Sequence, residues 1–275
     1  MTLDRALLAR YFRQLADFGV GEVYLAHLNA ADALALLAGR VADVRAPVQP
    51  RVPDAAHASN AAHTQHAAQA THVSAHAAAA PQAQTAVNGA AARALHVLSQ
   101  QVSGCVRCRL HETRTQVVFG EGSATADVVV VGEAPGQEED RTGRPFVGRA
   151  GKLLDLLLMS VGFPRDTVYI CNVLKCRPPE NRNPLPDEVT SCADHLHGQL
   201  ETIAPKVLLA VGKFAAQLLA GGDGSIGRLR GRIHSYRGTP LVVTYHPAYL
   251  LRSPQMTRVA WQDFQLLRTV LDEQA

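Results

Sequence analysis

Cysteines, a glycine- and proline-rich turn, one asparagine and one histidine carry most of the chemistry this sequence offers. Cys105 and Cys108 form C-x-x-C, and Cys176 and Cys192 follow far along the chain. A close pair of thiols and two distant ones can converge on one four-thiolate site. Spacing alone leaves tetrahedral zinc, an iron-sulfur cluster and ordinary buried thiols as readings. Cys171 differs, because it lies inside the apolar run Val168-Tyr169-Ile170-Cys171-Asn172 and reads as a small core residue. Five cysteines is an odd number for a secreted disulfide framework, which favours reduced thiols available to metal.

The turn Gly132-Glu133-Ala134-Pro135-Gly136 follows an apolar run, so its glycines let backbone approach a ligand closely, although a plain tight turn reads the same way. Glu138, Glu139 and Asp140 come next, then Thr142-Gly143-Arg144-Pro145-Phe146-Val147-Gly148, too rich in glycine and charge for simple core. Phe146 in that loop is a candidate stacking platform. Asn172 ends another apolar run; its amide is either a turn residue or a reader of one acceptor and one donor on a pyrimidine edge. His246, before Pro247, is a structural histidine or a hydrogen-bond donor to developing negative charge. Between residues 222 and 258 lie Arg228, Arg230, Arg232, Arg237, Arg252 and Arg258 against the single acid Asp223, an excess that suits solvent or phosphate.

These residues need a scaffold, and the hydrophobic pattern supplies one. Short β-branched runs at 127–131, 168–172, 207–211 and 241–245 predict strands buried on both faces. Helical spacing over 90–101, 150–161, 187–203, 213–219 and 257–271 alternates with them. The expectation is an α/β fold: a three-layer α/β/α domain over 90–275 with a central four-stranded parallel sheet, which binds ligands at the carboxyl ends of its strands. The Gly132 turn, Asn172 and His246 all fall at such ends. Residues 1–40 predict a small helical segment (4–18 and 29–37). Residues 41–89, rich in Ala, His, Gln and Pro, predict a disordered linker whose histidines read as low complexity or a loose metal tract.

Apolar residues make up 47% of the chain but aromatics only 5%, because the alanine-rich tract inflates the first figure. The net charge of +3 neither demands nor excludes a polyanionic partner. No apolar run approaches the roughly 18 residues of a membrane span, and residues 1–20 show no leader pattern. A cytoplasmic protein without a membrane partner is expected, and nothing in the pattern asks for an obligate dimer, so a monomer is expected too.

Taken together, the 132–136 turn, Arg144-Pro145-Phe146-Val147-Gly148, Asn172-Val173-Leu174-Lys175-Cys176-Arg177-Pro178-Pro179 and His246-Pro247-Ala248-Tyr249-Leu250-Leu251-Arg252 closely resemble the family 4 uracil-DNA glycosylases. The likeness runs from about Cys105 to Leu271; the first 90 residues inherit nothing from it. The resemblance implies excision of uracil from single- and double-stranded DNA. It implies a 4Fe-4S cluster on Cys105, Cys108, Cys176 and Cys192 that orders DNA-facing loops. It also implies that Phe146 stacks on the flipped base, Asn172 reads its Watson-Crick edge, and His246 faces uracil O2. By the same resemblance Glu133 and Ala134 line sugar and base, Gly136 of that turn also binds the uracil, and Glu139 walls the base's 5-position. Catalytic roles fall to Glu133, Asn172 and His246.

Leu250 and Leu251 then read as a wedge into the vacated stack, or as anchors of the last helix, with Arg252 on phosphates. Related family-1 enzymes carry a water-positioning aspartate where this sequence has Ala134, so an aspartate-base mechanism is not expected. Two rivals remain at this level. One is a covalent uracil-DNA-binding relative, whose histidine-bearing basic loop Arg232-Ile233-His234 resembles superficially. The other is a non-catalytic nucleic-acid module with a four-cysteine zinc site. The N-terminal segment is a candidate for recruiting a protein partner.

Overall fold

The computed structural model describes residues 81–274. The helices expected over 4–18 and 29–37, the linker up to residue 80 and its histidines lie outside the described residues. Helix α1 spans Pro81–Ser103. It begins before the expected residue 90, because Pro81 suits a first turn and the alanines that follow favour helix. Residues 81–89, expected in the linker, are therefore helical.

The strands that were expected are present: β2 (Val128–Gly132), β3 (Tyr169–Asn172), β4 (Val207–Val211) and β6 (Thr239–Thr244). They run parallel in the order β3-β2-β4-β6. Two short antiparallel strands that sequence reading missed close the edges. These are β1 (Glu121–Gly122) against β3 and β5 (Ile233–Tyr236) against β6, giving a six-stranded sheet. Both lack the apolar signature because an edge strand is only partly covered. A Cβ at Gly122 would lie 2.0 Å from Val168 O, so only glycine permits that approach. Arg237 and Gly238 both have positive φ and form the two-residue turn of the β5-β6 hairpin, a role more often announced by Asn-Gly.

Alternate residues of each strand feed opposite faces. Val129, Val131, Cys171, Leu208, Ala210 and Val243 pack with Leu196, Leu200 and Ile203 of α4 (Pro186–Ile203) and Ala215, Ala216 and Leu219 of α5 (Lys213–Ala220). Val128, Val130, Ile170, Leu209, Val211 and Val242 pack with Leu153, Leu154, Leu157 and Leu158 of α3 (Arg149–Ser160) and Phe264 and Leu267 of α8 (Thr257–Asp272). This is the three-layer α/β/α fold that was expected, and Cys171 is fully buried in it. The described residues also hold three short α-helices, α2 (Gln137–Thr142), α6 (Ile226–Leu229) and α7 (Pro247–Arg252), and three 3-10 turns at Arg109–Glu112, Pro179–Asn181 and Pro254–Met256.

Candidate active site and cysteine cavity

Parallel pairing sets Gly132 beside Asn172 and Val211 beside Thr244, so the ends of β2 and β3, and of β4 and β6, open on the same side of the sheet. A Cβ at Gly132 would lie 2.3 Å from Asn172 Oδ1 and 2.5 Å from Phe146 Cζ, so the missing side chain is what lets amide and ring meet. Asn172 is 1% exposed and its Oδ1 has no partner. Leaving a buried carbonyl-type oxygen unsatisfied costs about 1–3 kcal/mol, a cost that a ligand donor would remove. Phe146 is buried, has φ +50 and sets its ring centroid 5.8 Å from that of His246. Phe146, Asn172 and His246, chosen from separate motifs, are thus brought together, Asn172 and Phe146 over Gly132 and His246 beside the Phe146 ring.

His246 is the N-cap of α7, and its Nδ1 accepts the Ala248 N–H at 3.1 Å. A neutral imidazole so engaged carries its proton on Nε2. Burial, reinforced by Arg252, lowers its pKa from the ordinary 6.5 to about 4, so the ring is neutral near pH 7. Gly212, which sequence reading did not single out, packs beneath it: φ is +97 and a Cβ there would lie 3.0 Å from His246 Cβ. The signal was available, since Gly212 follows β4 as Gly132 ends β2.

Glu133 is half-buried and burial raises its carboxyl pKa. Ala134 packs on the core, where an aspartate would face apolar neighbours. Glu139 Oε1 accepts the N–H groups of Val147 and Gly148, both at 2.9 Å, and a Cβ at Gly136 would lie 2.8 Å from its Oε2. Glu139 is therefore committed to the Phe146 loop. Asp140 anchors α2 by accepting Thr115 and Gln116 N–H groups.

Of the two readings given for Leu250 and Leu251, the burial of Leu250, 1% exposed within the core, matches its role as an anchor. Leu251 is half-buried against the same core and Arg252 is exposed. Tyr249, not singled out from sequence, is exposed, its ring centroid 5.1 Å from that of Tyr245. The arginine excess is also smaller than the sequence suggested. Arg230 forks onto buried Asp263 at 3.0 and 2.8 Å, and Arg237 pairs with Glu201 at 2.6 Å. Arg228, Arg232 and Arg252 are exposed.

Cys105, Cys108, Cys176 and Cys192 line one cavity with Arg114, Lys175 and His195, and all four thiols are free. Arg114 Nη1 donates to Cys176 Sγ at 3.2 Å, the Lys175 N–H donates to Cys192 Sγ at 3.3 Å, and His195 Nε2 lies 3.4 Å from Cys105 Sγ. Burial pushes the Cys192 thiol up to about 11 and raises that of Cys176. Among the described residues no three His, Cys, Asp or Glu side chains are grouped to share one metal ion. Four soft thiols around a common space, with donors aimed at sulfur, fit a thiolate-held group.

A sequence model of the Uracil DNA glycosylase superfamily matches residues 119–265. The chain is 44% identical over 184 residues to the Type-4 uracil-DNA glycosylase of Thermotoga maritima, across 66% of this chain and 96% of that protein. It is 44% identical over 174 residues to the Archaeoglobus fulgidus Type-4 enzyme, across 60% and 87%. A Type-5 uracil-DNA glycosylase of Pyrobaculum aerophilum is 35% identical over 146 residues, across 47% and 64%. Matches of this length and coverage, on a fold whose strand ends gather the shared motifs, mean that the protein belongs to the uracil DNA glycosylase superfamily, in its type-4 family.

Proposed function

We propose that the protein excises uracil from single- and double-stranded DNA by hydrolysing the N-glycosidic bond, leaving an abasic site. The observation that carries the site assignment is the buried, partnerless Asn172 Oδ1 beside the Phe146 ring and a neutral His246. Uracil presents an N–H donor at N3 and an acceptor at O4. Asn172 accepts the first through Oδ1 and donates to the second, whereas cytosine offers the reverse pattern and leaves buried groups unpaired.

A base inside a duplex is unreachable, so the nucleotide swings out at a cost of a few kcal/mol, roughly, and less from a U·G mismatch. Phe146 stacks on it. As the C1′–N1 bond breaks, its electron pair passes into the uracil ring toward O2, where the Nε2–H of His246 donates a hydrogen bond that strengthens with the charge. Water adds to C1′ and gives up a proton, and uracil leaves with one gained. Glu133, half-buried beside the Gly132 turn, places that water. Arg252 and the exposed Arg228 and Arg232 hold phosphates, with Leu251 at the rim.

The cysteine set would hold a 4Fe-4S cluster, which when bound cross-links the 105–108 loop, the chain after β3 and α4. Arg114, the Lys175 N–H and His195 orient its thiolates. The protein acts as a cytoplasmic monomer, and among the described residues no helix is long and apolar enough to cross a membrane. Against the covalent alternative stands the place of His234, on edge strand β5 with Nε2 bonded to Leu229 O at 2.6 Å. Release of free uracil from a labelled single-stranded oligonucleotide, with turnover, is the expected result. An SDS-resistant protein-DNA adduct without turnover would overturn it.

A further inference from the structure

Phe146 is a bulky residue held at φ +50, in the left-handed region that aromatic side chains seldom occupy. Such a conformation persists only where its surroundings fix it. Each of four successive residues around Phe146 has one backbone group held by one of two charged side chains. Arg165 Nη2 donates to Pro145 O at 2.6 Å and its Nη1 to Phe146 O at 3.1 Å. Glu139 Oε1 accepts the next two N–H groups, of Val147 and Gly148. Arg165 is itself fixed by Asp155 at 2.8 Å, with Glu121 at 3.9 Å, and Glu121 also takes a two-pronged contact from Arg144. The first turn of α3 presses from behind, since a Cβ at Gly151 would lie 1.9 Å from Phe146 O.

We infer that Arg165, with Glu139, is a positioning residue that clamps the Phe146 loop so that the ring is already set for stacking before uracil arrives. Arg165 lies between α3 and β3, outside every motif read from the sequence. The guanidinium suits the task because its planar fork reaches two adjacent carbonyls while a third contact goes to a carboxylate. Without it, Phe146 samples ordinary φ values, and uracil binds only the fraction of molecules in which the ring is in place. The inference rests on the reading of Phe146 as the stacking platform.

The test compares Arg165→Gln, Arg165→Lys and Phe146→Ala in the full chain. It measures kcat and KM on a single-stranded uracil oligonucleotide, inhibition by free uracil, and the melting temperature. Both Arg165 variants should weaken inhibition by uracil and raise KM roughly tenfold, with kcat changed much less. Lysine keeps the cation beside Asp155 but lacks the fork, so it should not rescue. Wild-type uracil inhibition in Arg165→Lys, or a lowered melting temperature with unchanged inhibition in Arg165→Gln, would overturn the clamp. If Arg165→Gln does not fold, Arg165→Lys decides alone. Phe146→Ala separates the two ideas. Weak uracil binding there with normal Arg165 variants sinks the clamp and keeps the platform. Normal uracil binding in Phe146→Ala sinks both.

Discussion

The strand-end site and the cysteine cavity lie at the two ends of one short stretch, Asn172 to Cys176, yet they are built on opposite principles. At the strand ends, backbone geometry does the placing: parallel register, Gly132, Gly212 and a clamped loop hold three side chains in position. The cavity gathers thiols from separate segments through long contacts to sulfur, and burial there favours the neutral thiol over the ligating thiolate. Lys175 bridges the two. Its Nζ donates to Asn172 O at 2.7 Å and Gln199 Oε1 at 2.5 Å, while its N–H faces Cys192. The contrast is between a strand-end site placed by backbone geometry and a cavity whose thiols burial holds in the neutral form.

The largest effect should come from the preformed site. His246→Ala and Asn172→Ala are each expected to lower kcat by roughly 10²–10³, as removal of a preorganised donor does. Glu133→Ala should lose far less, because a sugar cation stabilised by the nearby phosphates and the departing anion needs little help from the group that places its water. Circular dichroism and melting should change little in all three. Near-wild-type rates for both His246→Ala and Asn172→Ala would remove the assigned roles.

A smaller loss of activity but a larger loss of stability is expected at the cavity. Cys192→Ser and Cys176→Ser should lose bound iron and visible absorption and melt several degrees lower, at about 4 °C or more, since a group bound only by the folded state stabilises it. Free uracil should still inhibit the folded fraction. Collapse of uracil inhibition at an unchanged melting temperature would erase the distinction between the regions.

Much of this arrangement was legible in the sequence because it depends on period and punctuation. Apolar runs of strand length gave the parallel core, and the residues just past them, Gly132, Asn172 and His246, gave the site. The remainder depends on contacts between distant segments. Burial of Leu250 follows from how α7 docks on the core, and commitment of Arg230 to Asp263 pairs residues far apart in the chain. Arg165 and Lys175 sit among ordinary loop residues, and their importance comes from the backbone carbonyls they reach. The edge strands carry too few apolar residues to signal themselves.

The smallest expected effect is a pH dependence that separates the regions by the consequence of burial. Burial favours the neutral form in both, but a neutral His246 is the working donor, whereas a neutral thiol is not a ligand. The His246 pKa falls from 6.5 to about 4 on folding. Between those values the unfolded chain takes up a proton that the folded chain refuses, so stability drops as pH falls through the window. The contribution is fully present above pH 6.5 and is lost by about pH 4. Melting curves of the wild type and His246→Asn should therefore run together above pH 6.5 and separate below it, the wild type losing stability toward pH 4 that the variant keeps. The wild-type rate should show no acid limb near 6.5 from this residue. An imidazole resonance of His246 titrating with a midpoint near 6.5 in the folded protein would show that the ring is not held neutral, and would return the O2 donor to an ordinary exposed histidine.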